Sequence, residues 1–177
     1  DIPFLHYNIP QIISRTMSNL VFSKEPAIVA KAGNKKINPR YQKAIDDIWS
    51  DNDKMSLLRK AAEIESWSGA VGFKLFNDHK ESDFPIIQLY SADEMEVRRK
   101  YDRIEEIVFK DYYPIPGEQN PFVLYSVYGK GYIRYEMYQE SWNPTENFLT
   151  LSPVSLDKVP DCRGLRDIAF SNPDGTP

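Results

Sequence analysis

The chain has little cysteine and little histidine. Its 177 residues include one cysteine, Cys162, and two histidines, His6 and His79. A single cysteine excludes an internal disulfide framework and is typical of a reducing compartment. Neither histidine has the spacing to Cys, Asp or Glu that motifs such as H-E-x-x-H or C-x-x-C require. The sequence therefore predicts no metal site and no cofactor, and a surface or half-buried, unreactive thiol at Cys162.

An excess of positive charge is also missing. The 22 Lys and Arg residues are outnumbered by 26 Asp and Glu residues, so the net charge is −4, whereas free-standing nucleic-acid binders are usually basic. No apolar run reaches the ~18 residues that a membrane span needs, and no secretory signal pattern is seen. These features predict a cytoplasmic protein without a membrane partner. Because the chain starts at Asp1 instead of methionine, we expect a trimmed or processed product.

Catalytic motifs are absent as well. The "GKG" at 129–131 lies between strand-like segments, which predicts a turn and not a phosphate loop. Neighbouring acids such as Asp46/Asp47 do not converge on one point in a helix, which favours a solvated face. The sequence therefore predicts no catalytic residue and no enzyme. The alternative is a metal-dependent nuclease built from scattered carboxylates, for which Asp46 and Glu65 are the residues to test.

The first segment has the pattern of an amphipathic helix. Asn8 is a plausible N-cap, Pro10 suits the first turn, and the polar face is hardly basic, which argues against a membrane-surface helix. Apolar residues recur at intervals of three and four: Ile9, Ile12, Ile13, Met17, Leu20 and Val21. We expect this face to be a core or assembly face that packs on the sheet beyond Gly69, with part of it turned to a neighbouring subunit. Asp at Ile13 or Leu20 should then unfold the chain.

The remaining chain changes from a helical period to strand-like alternation near Gly69. Helical spacing continues over 39–50 and 54–68, and residues 70–152 are rich in β-branched and aromatic residues, with a hairpin around 129–131. The last part, 153–177, is rich in Pro, Asp and Gly and is interpreted as a linker. The predicted fold class is α+β, with N-terminal amphipathic helices, a mostly antiparallel β-sheet and an irregular C-terminal tail. The prediction is one domain over 1–152, helical at 5–68 and β-rich at 70–152.

One segment, residues 91–113, fits two structures. Helical spacing of Val97, Tyr101, Ile104 and Val108 supports one long helix. Alternation on both sides of Tyr101-Asp102 supports a hairpin instead. The local pattern slightly favours the helix.

The same segment contains the densest group of basic residues. Arg98, Arg99, Lys100 and Arg103 are interleaved with Glu and Asp, which favours an ion-paired surface or a subunit contact over a DNA contact. Five tyrosines on the predicted hairpin could stack on bases: Tyr125, Tyr128, Tyr132, Tyr135 and Tyr138. A nucleic-acid binding module therefore remains a further alternative.

Four stretches, taken in order over roughly residues 5–160, resemble the portal proteins of tailed double-stranded-DNA bacteriophages, of the siphovirus type found in phages and prophages. They are "NIPQIISRTMSNLVFSKEPAI", "AAEIESWSGAVGFKLF", "PIIQLYSADEMEVRRKYDRIEEIVFKDYY" and "YIRYEMYQESW". The first is similar to an early Asn-led helix of the family, and the third to a hairpin with a central Tyr-Asp. The resemblance therefore implies strands at 94–100 and 103–112, against the local helix pattern.

The resemblance also implies a role in virion assembly. Portal subunits form homo-oligomeric rings, commonly of twelve, at one capsid vertex. They meet capsid and scaffolding protein, dock the terminase, pass double-stranded DNA through a channel, and join head-tail connector proteins. This chain would match the wing region and would lead, through 153–177, toward a stem that it does not include. The implied localisation is the virion, and the host cytoplasm during assembly.

Overall fold

A computed structural model describes residues 9–32, 36–37, 39–78, 80–118, 120–143 and 148–170. The chain divides into two compact units, Asp1–Ala92 and Asp93–Pro177. The first unit contains the helices and the second contains the large sheet. The predicted domain over 1–152 stays a prediction as a domain boundary.

In its described residues, the first unit has three helices, α1 (Ile9–Val21), α2 (Pro39–Asp51) and α3 (Lys54–Ser68). The ends of α3 follow from its sequence. The Asp53 carboxylate accepts the Ser56 N–H at the N-terminus, and the left-handed Gly69 closes the C-terminus by donating its N–H to the Glu65 carbonyl at 2.9 Å. These helices confirm the predicted segments to within one residue.

Two short antiparallel pairs complete this unit. The strands β1 (Lys31–Ala32) and β2 (Lys36–Ile37) form one pair, and β3 (Val71–Phe76) and β4 (Ile86–Ser91) form the other. Asn52 ties the helices to β4, because its side chain donates to the Pro85 carbonyl at 2.9 Å and accepts the Ile87 N–H at 2.7 Å.

The second unit is a six-stranded antiparallel sheet. Its strands are β5 (Met95–Lys100), β6 (Arg103–Tyr113), β7 (Phe122–Gly129), β8 (Tyr132–Asn143), β9 (Phe148–Val154) and β10 (Ile168–Ala169). The order is β10-β8-β7-β6-β5, and β9 also pairs with β8. The β7–β8 hairpin turns at 129–131 as predicted, with Gly131 at φ 85°.

The ambiguous segment is a hairpin, as the resemblance implied. Met95 pairs with Phe109 and Lys100 with Arg103, so β5 and β6 lie antiparallel. Tyr101 and Asp102 have φ values of 50° and 59°, and positive φ at both central residues is the geometry of a type I′ turn. The sheet therefore overrides the helical spacing of Val97, Ile104 and Val108.

The core of the second unit includes the C-terminal segment. Phe122, Leu124 and Met137 of the sheet pack with Val159 and Cys162. Two 3₁₀ turns follow β9, Leu156–Lys158 and Pro160–Cys162; Val159 lies between them, and Cys162 ends the second. Cys162 is fully buried, and Val159 is 2% exposed. The tail is irregular, as predicted. The linker interpretation is wrong for this part of it, because residues 156–165 supply apolar side chains to the core.

One buried polar group in β7 leads to a stability prediction. The Ser126 hydroxyl is fully buried and has no hydrogen-bond partner among the residues that the structure describes. Leaving a buried hydroxyl unsatisfied costs about 1–3 kcal/mol. Ser126→Ala should therefore raise the free energy of unfolding by about 1 kcal/mol, measured by denaturant titration. Ser152→Ala, at an exposed serine of β9 in the same sheet, is the control, and a destabilised Ser126→Ala would show that the hydroxyl is bonded in solution.

The α+β class is confirmed: helices come first, and a mostly antiparallel sheet follows. Within the described residues, no helix is long and apolar enough to cross a membrane.

Candidate functional site

The most unusual surface of the first unit is one side of α1, here called the α1 stripe. It consists of Ile9, Ile12, Ile13, Met17, Leu20 and Val21. All six side chains are 54–66% exposed. The stripe carries no charge. Thr16, a polar residue beside the stripe, donates its hydroxyl to the Ile12 carbonyl at 2.8 Å, so its polar group is already satisfied.

The polar side of α1 holds the helix in place. Ser14 and Ser18 are its buried residues, and the helix lies against α3, where Ala61 is buried. Small side chains on both helices permit a close approach. Around them, Arg15 lies 3.8 Å from the Glu63 carboxylate, and Arg59 donates to the Phe22 carbonyl at 3.3 Å.

The sequence prediction for this face is therefore half wrong. The stripe exists, but its six side chains are exposed, so it is not a core face of the first unit. An amphipathic pattern identifies the apolar side of a helix and does not identify what covers it. The alternative, an assembly face, is consistent with the exposure of all six residues.

A second exposed apolar surface lies on the β3–β4 pair, here called the hairpin face. Val71, Phe73 and Leu75 share this face with Leu89 and Ile87, which lie opposite Phe73 and Leu75 in the register. Phe73 is 44% exposed and Leu75 is 55% exposed. The other face differs, since Lys74 is buried there with its ammonium 3.2 Å from the Tyr90 hydroxyl.

The predicted basic cluster is paired with acids and carbonyl groups. Arg98 contacts Glu96 and Glu106 at 2.9 Å each, and Lys100 lies 4.0 Å from Glu105. Arg99 donates to the Asp102 carbonyl at 3.4 Å, across the turn of the hairpin. Arg103 begins the next strand and is exposed. This arrangement fits the ion-paired surface that the interleaved sequence favoured, and does not build a track of free cations for phosphates.

A polar network, which we call the Glu106 network, centres on one carboxylate of the large sheet. Glu106 accepts hydrogen bonds from Tyr132 and Arg98, and Arg134 lies 3.8 Å away. Gly129 makes the Tyr132 contact possible, because a side chain at Gly129 would overlap the Tyr132 ring. The hydrogen bond from Tyr132 contributes most to lowering the pKa of Glu106 below its ordinary 4.5, and the hydrogen bond from Arg98 contributes next.

The Glu106 network should make stability depend on pH in acid. Because the folded state lowers this pKa, the stabilisation is present above pH 4.5 and is lost as the pH falls through the folded-state pKa. Glu106→Gln should cost about 1 kcal/mol at pH 7 and should flatten the pH dependence below 4.5. Denaturant titrations at pH 7 and pH 3 measure both effects. Glu105→Gln, at the exposed neighbour, is the control, and an equal loss there would contradict this assignment.

The five tyrosines do not form one stacking platform. The strand register places Tyr125, Tyr132 and Tyr138 on one face of the sheet and Tyr128 and Tyr135 on the other. Tyr125 and Tyr138 pack with ring centroids 5.0 Å apart. Burial and nearby Tyr135 raise the pKa of Tyr128 to about 12. The five tyrosines therefore do not share the single surface that the base-stacking interpretation requires.

Of the two candidate catalytic carboxylates, Glu65 is exposed on α3, and Asp46 is engaged within its own helix, as is its neighbour Asp47. Asp46 accepts from Gln42 at 2.8 Å and Asp47 from Lys43 at 2.6 Å, both within α2. In the part of the chain that the structure describes, no group of three His, Cys, Asp or Glu residues could hold a metal ion. His6 and His79 lie outside the described residues. The exposed apolar surfaces are therefore the strongest candidate functional site.

Comparison with known proteins identifies no relative: no family model matches the chain, and no curated protein matches its sequence.

Proposed function

We propose that this chain is a structural part of a bacteriophage portal ring. The observation that carries the proposal is the α1 stripe, an uncharged apolar helix face that the chain leaves open while it buries the serine side of the same helix. Single exposed apolar residues are ordinary on a protein surface, whereas contiguous apolar patches mark interaction sites. The resemblance of the sequence to portal wing regions supplies the kind of assembly.

The same proposal names the partners and the place of action. The chain contacts other portal subunits in a homo-oligomeric ring, and the ring meets capsid and scaffolding protein, terminase and head-tail connector proteins. Double-stranded DNA passes through the channel of the ring. The net charge of −4 and the paired state of Arg98 and Lys100 suit a wing that stays away from the DNA. The protein works in the virion and, during assembly, in the host cytoplasm.

Negative-stain electron microscopy of the complete gene product tests the proposal. We expect closed rings with a central channel. Monodisperse monomers at every concentration would contradict it.

A further inference from the structure

The first unit leaves open two apolar surfaces of different kinds. One is the α1 stripe, a ridge on a helix, and the other is the hairpin face, one side of a two-stranded sheet. A helix ridge on a sheet face is one of the few stable ways to bury two apolar elements against each other. The two surfaces therefore suit each other in architecture.

Both surfaces also match in length and charge. The 13 residues of α1 span about 20 Å at 1.5 Å per residue, and the six residues of β3 span about 20 Å at 3.3 Å per residue. The α1 stripe and the hairpin face contain only uncharged side chains. A contact between them buries no charge, so it avoids the desolvation penalty that an unpaired charged group would impose.

We infer that the α1 stripe of one copy packs on the hairpin face of the next copy. This inference rests on the proposed function, and it names the partner of the exposed helix. A head-to-tail contact of this kind uses two different surfaces on each copy, which generates a ring when the rotation closes. A symmetric pair of α1 helices, in contrast, would leave Phe73 and Leu75 exposed in both copies.

Area also favours the head-to-tail arrangement. A stable interface buries about 800 Å² per partner, and six half-exposed aliphatic side chains supply only several hundred Å². In a head-to-tail ring, each copy buries both the α1 stripe and the hairpin face. We therefore expect weak association of the 177-residue chain in pairs and a much stronger one when a ring closes.

Cysteine cross-linking tests this contact, because the single native thiol, Cys162, is fully buried. Ile13→Cys and Leu75→Cys chains are prepared separately, mixed at high concentration and treated with a short bismaleimide. Mixed dimers should form at least about tenfold faster than with Ile13→Cys and Gln88→Cys, because contact raises the local concentration of the two thiols. Gln88 is an exposed residue on the opposite face of the same hairpin, in register with Lys74.

The other outcomes overturn the inference. Faster formation of Ile13→Cys homodimers would mean a symmetric α1 pair. Equal rates for Leu75→Cys and Gln88→Cys mixtures would mean that the stripe meets another partner. Either result contradicts this contact only. The proposed function is tested separately by whether the complete gene product forms rings, so failure of the contact and failure of the proposed function can be distinguished.

Discussion

Val159→Asp should strongly destabilise the large sheet. Val159 is 2% exposed, and it packs with Phe122, Leu124 and Met137. A carboxylate at this position would lie in an apolar core without a partner, and such a change costs more than about 4 kcal/mol. Since folded domains are stable by only about 5–15 kcal/mol, most of the margin of this unit would be lost.

The native thiol gives a direct measurement of this loss. Cys162 lies in the same cluster and is fully buried, so Ellman's reagent should react with it only when the C-terminal segment opens. We expect the reaction to be slow in the native chain and fast in Val159→Asp. Hydrogen exchange should show loss of protection in β6, β7 and β8.

The control is the same substitution at a valine that is 66% exposed, Val21→Asp. It should leave the Cys162 reaction slow, because exposed substitutions usually change stability by no more than about 0.5 kcal/mol. A slow Cys162 reaction in Val159→Asp would contradict the packing of this segment on the sheet.

The elements that the sequence predicted well are those whose signals are local. The ends of α3 depend on Asp53 and Gly69, which act within one turn of the helix. The β7–β8 turn depends on Gly131, which adopts the positive φ that this turn requires. Signals of this kind depend only on residues that are close in the sequence.

The hairpin at Tyr101-Asp102 shows where local signals fail. Neither residue is a glycine, and the spacing of Val97, Ile104 and Val108 suits a helix. The strand arrangement is fixed by non-local pairing, since β6 pairs with β5 over 103–109 and with β7, a more distant strand in the sequence, over 106–113. The residues by themselves supported both structures, and the choice of strands came from the resemblance.

Burial of the C-terminal segment was missed for a similar reason. Val159 and Cys162 are single apolar residues in a stretch of Pro, Asp and Gly, so no period indicates a core face. Their burial follows from the position of the 3₁₀ turns after β9. A lone thiol in polar sequence gives no sign that it is buried.

Leu20→Asp should abolish ring assembly of the complete gene product and leave the chain folded. Leu20 is 64% exposed and lies in the α1 stripe, so an aspartate there meets water in the isolated chain. In the ring that we propose, the same carboxylate would be buried against an apolar surface, where an unpaired charge is strongly unfavourable. This variant should therefore fold normally but form no rings. Electron microscopy reports on the rings, and circular dichroism on the thermal transition.

The neighbouring residue supplies the matched control. Asn19→Asp introduces the same charge one position away, at the margin of the groove between α1 and α3, and should permit rings. Loss of the cooperative thermal transition in Leu20→Asp would mean that the stripe is a core face after all, as the helical pattern first predicted. Intact rings in Leu20→Asp would mean that this part of the stripe stays in water during assembly. The proposed contact requires that Leu20→Asp folds and no longer forms rings. Only that result fits an uncharged helix face that is exposed in the single chain and covered by a second copy in the ring.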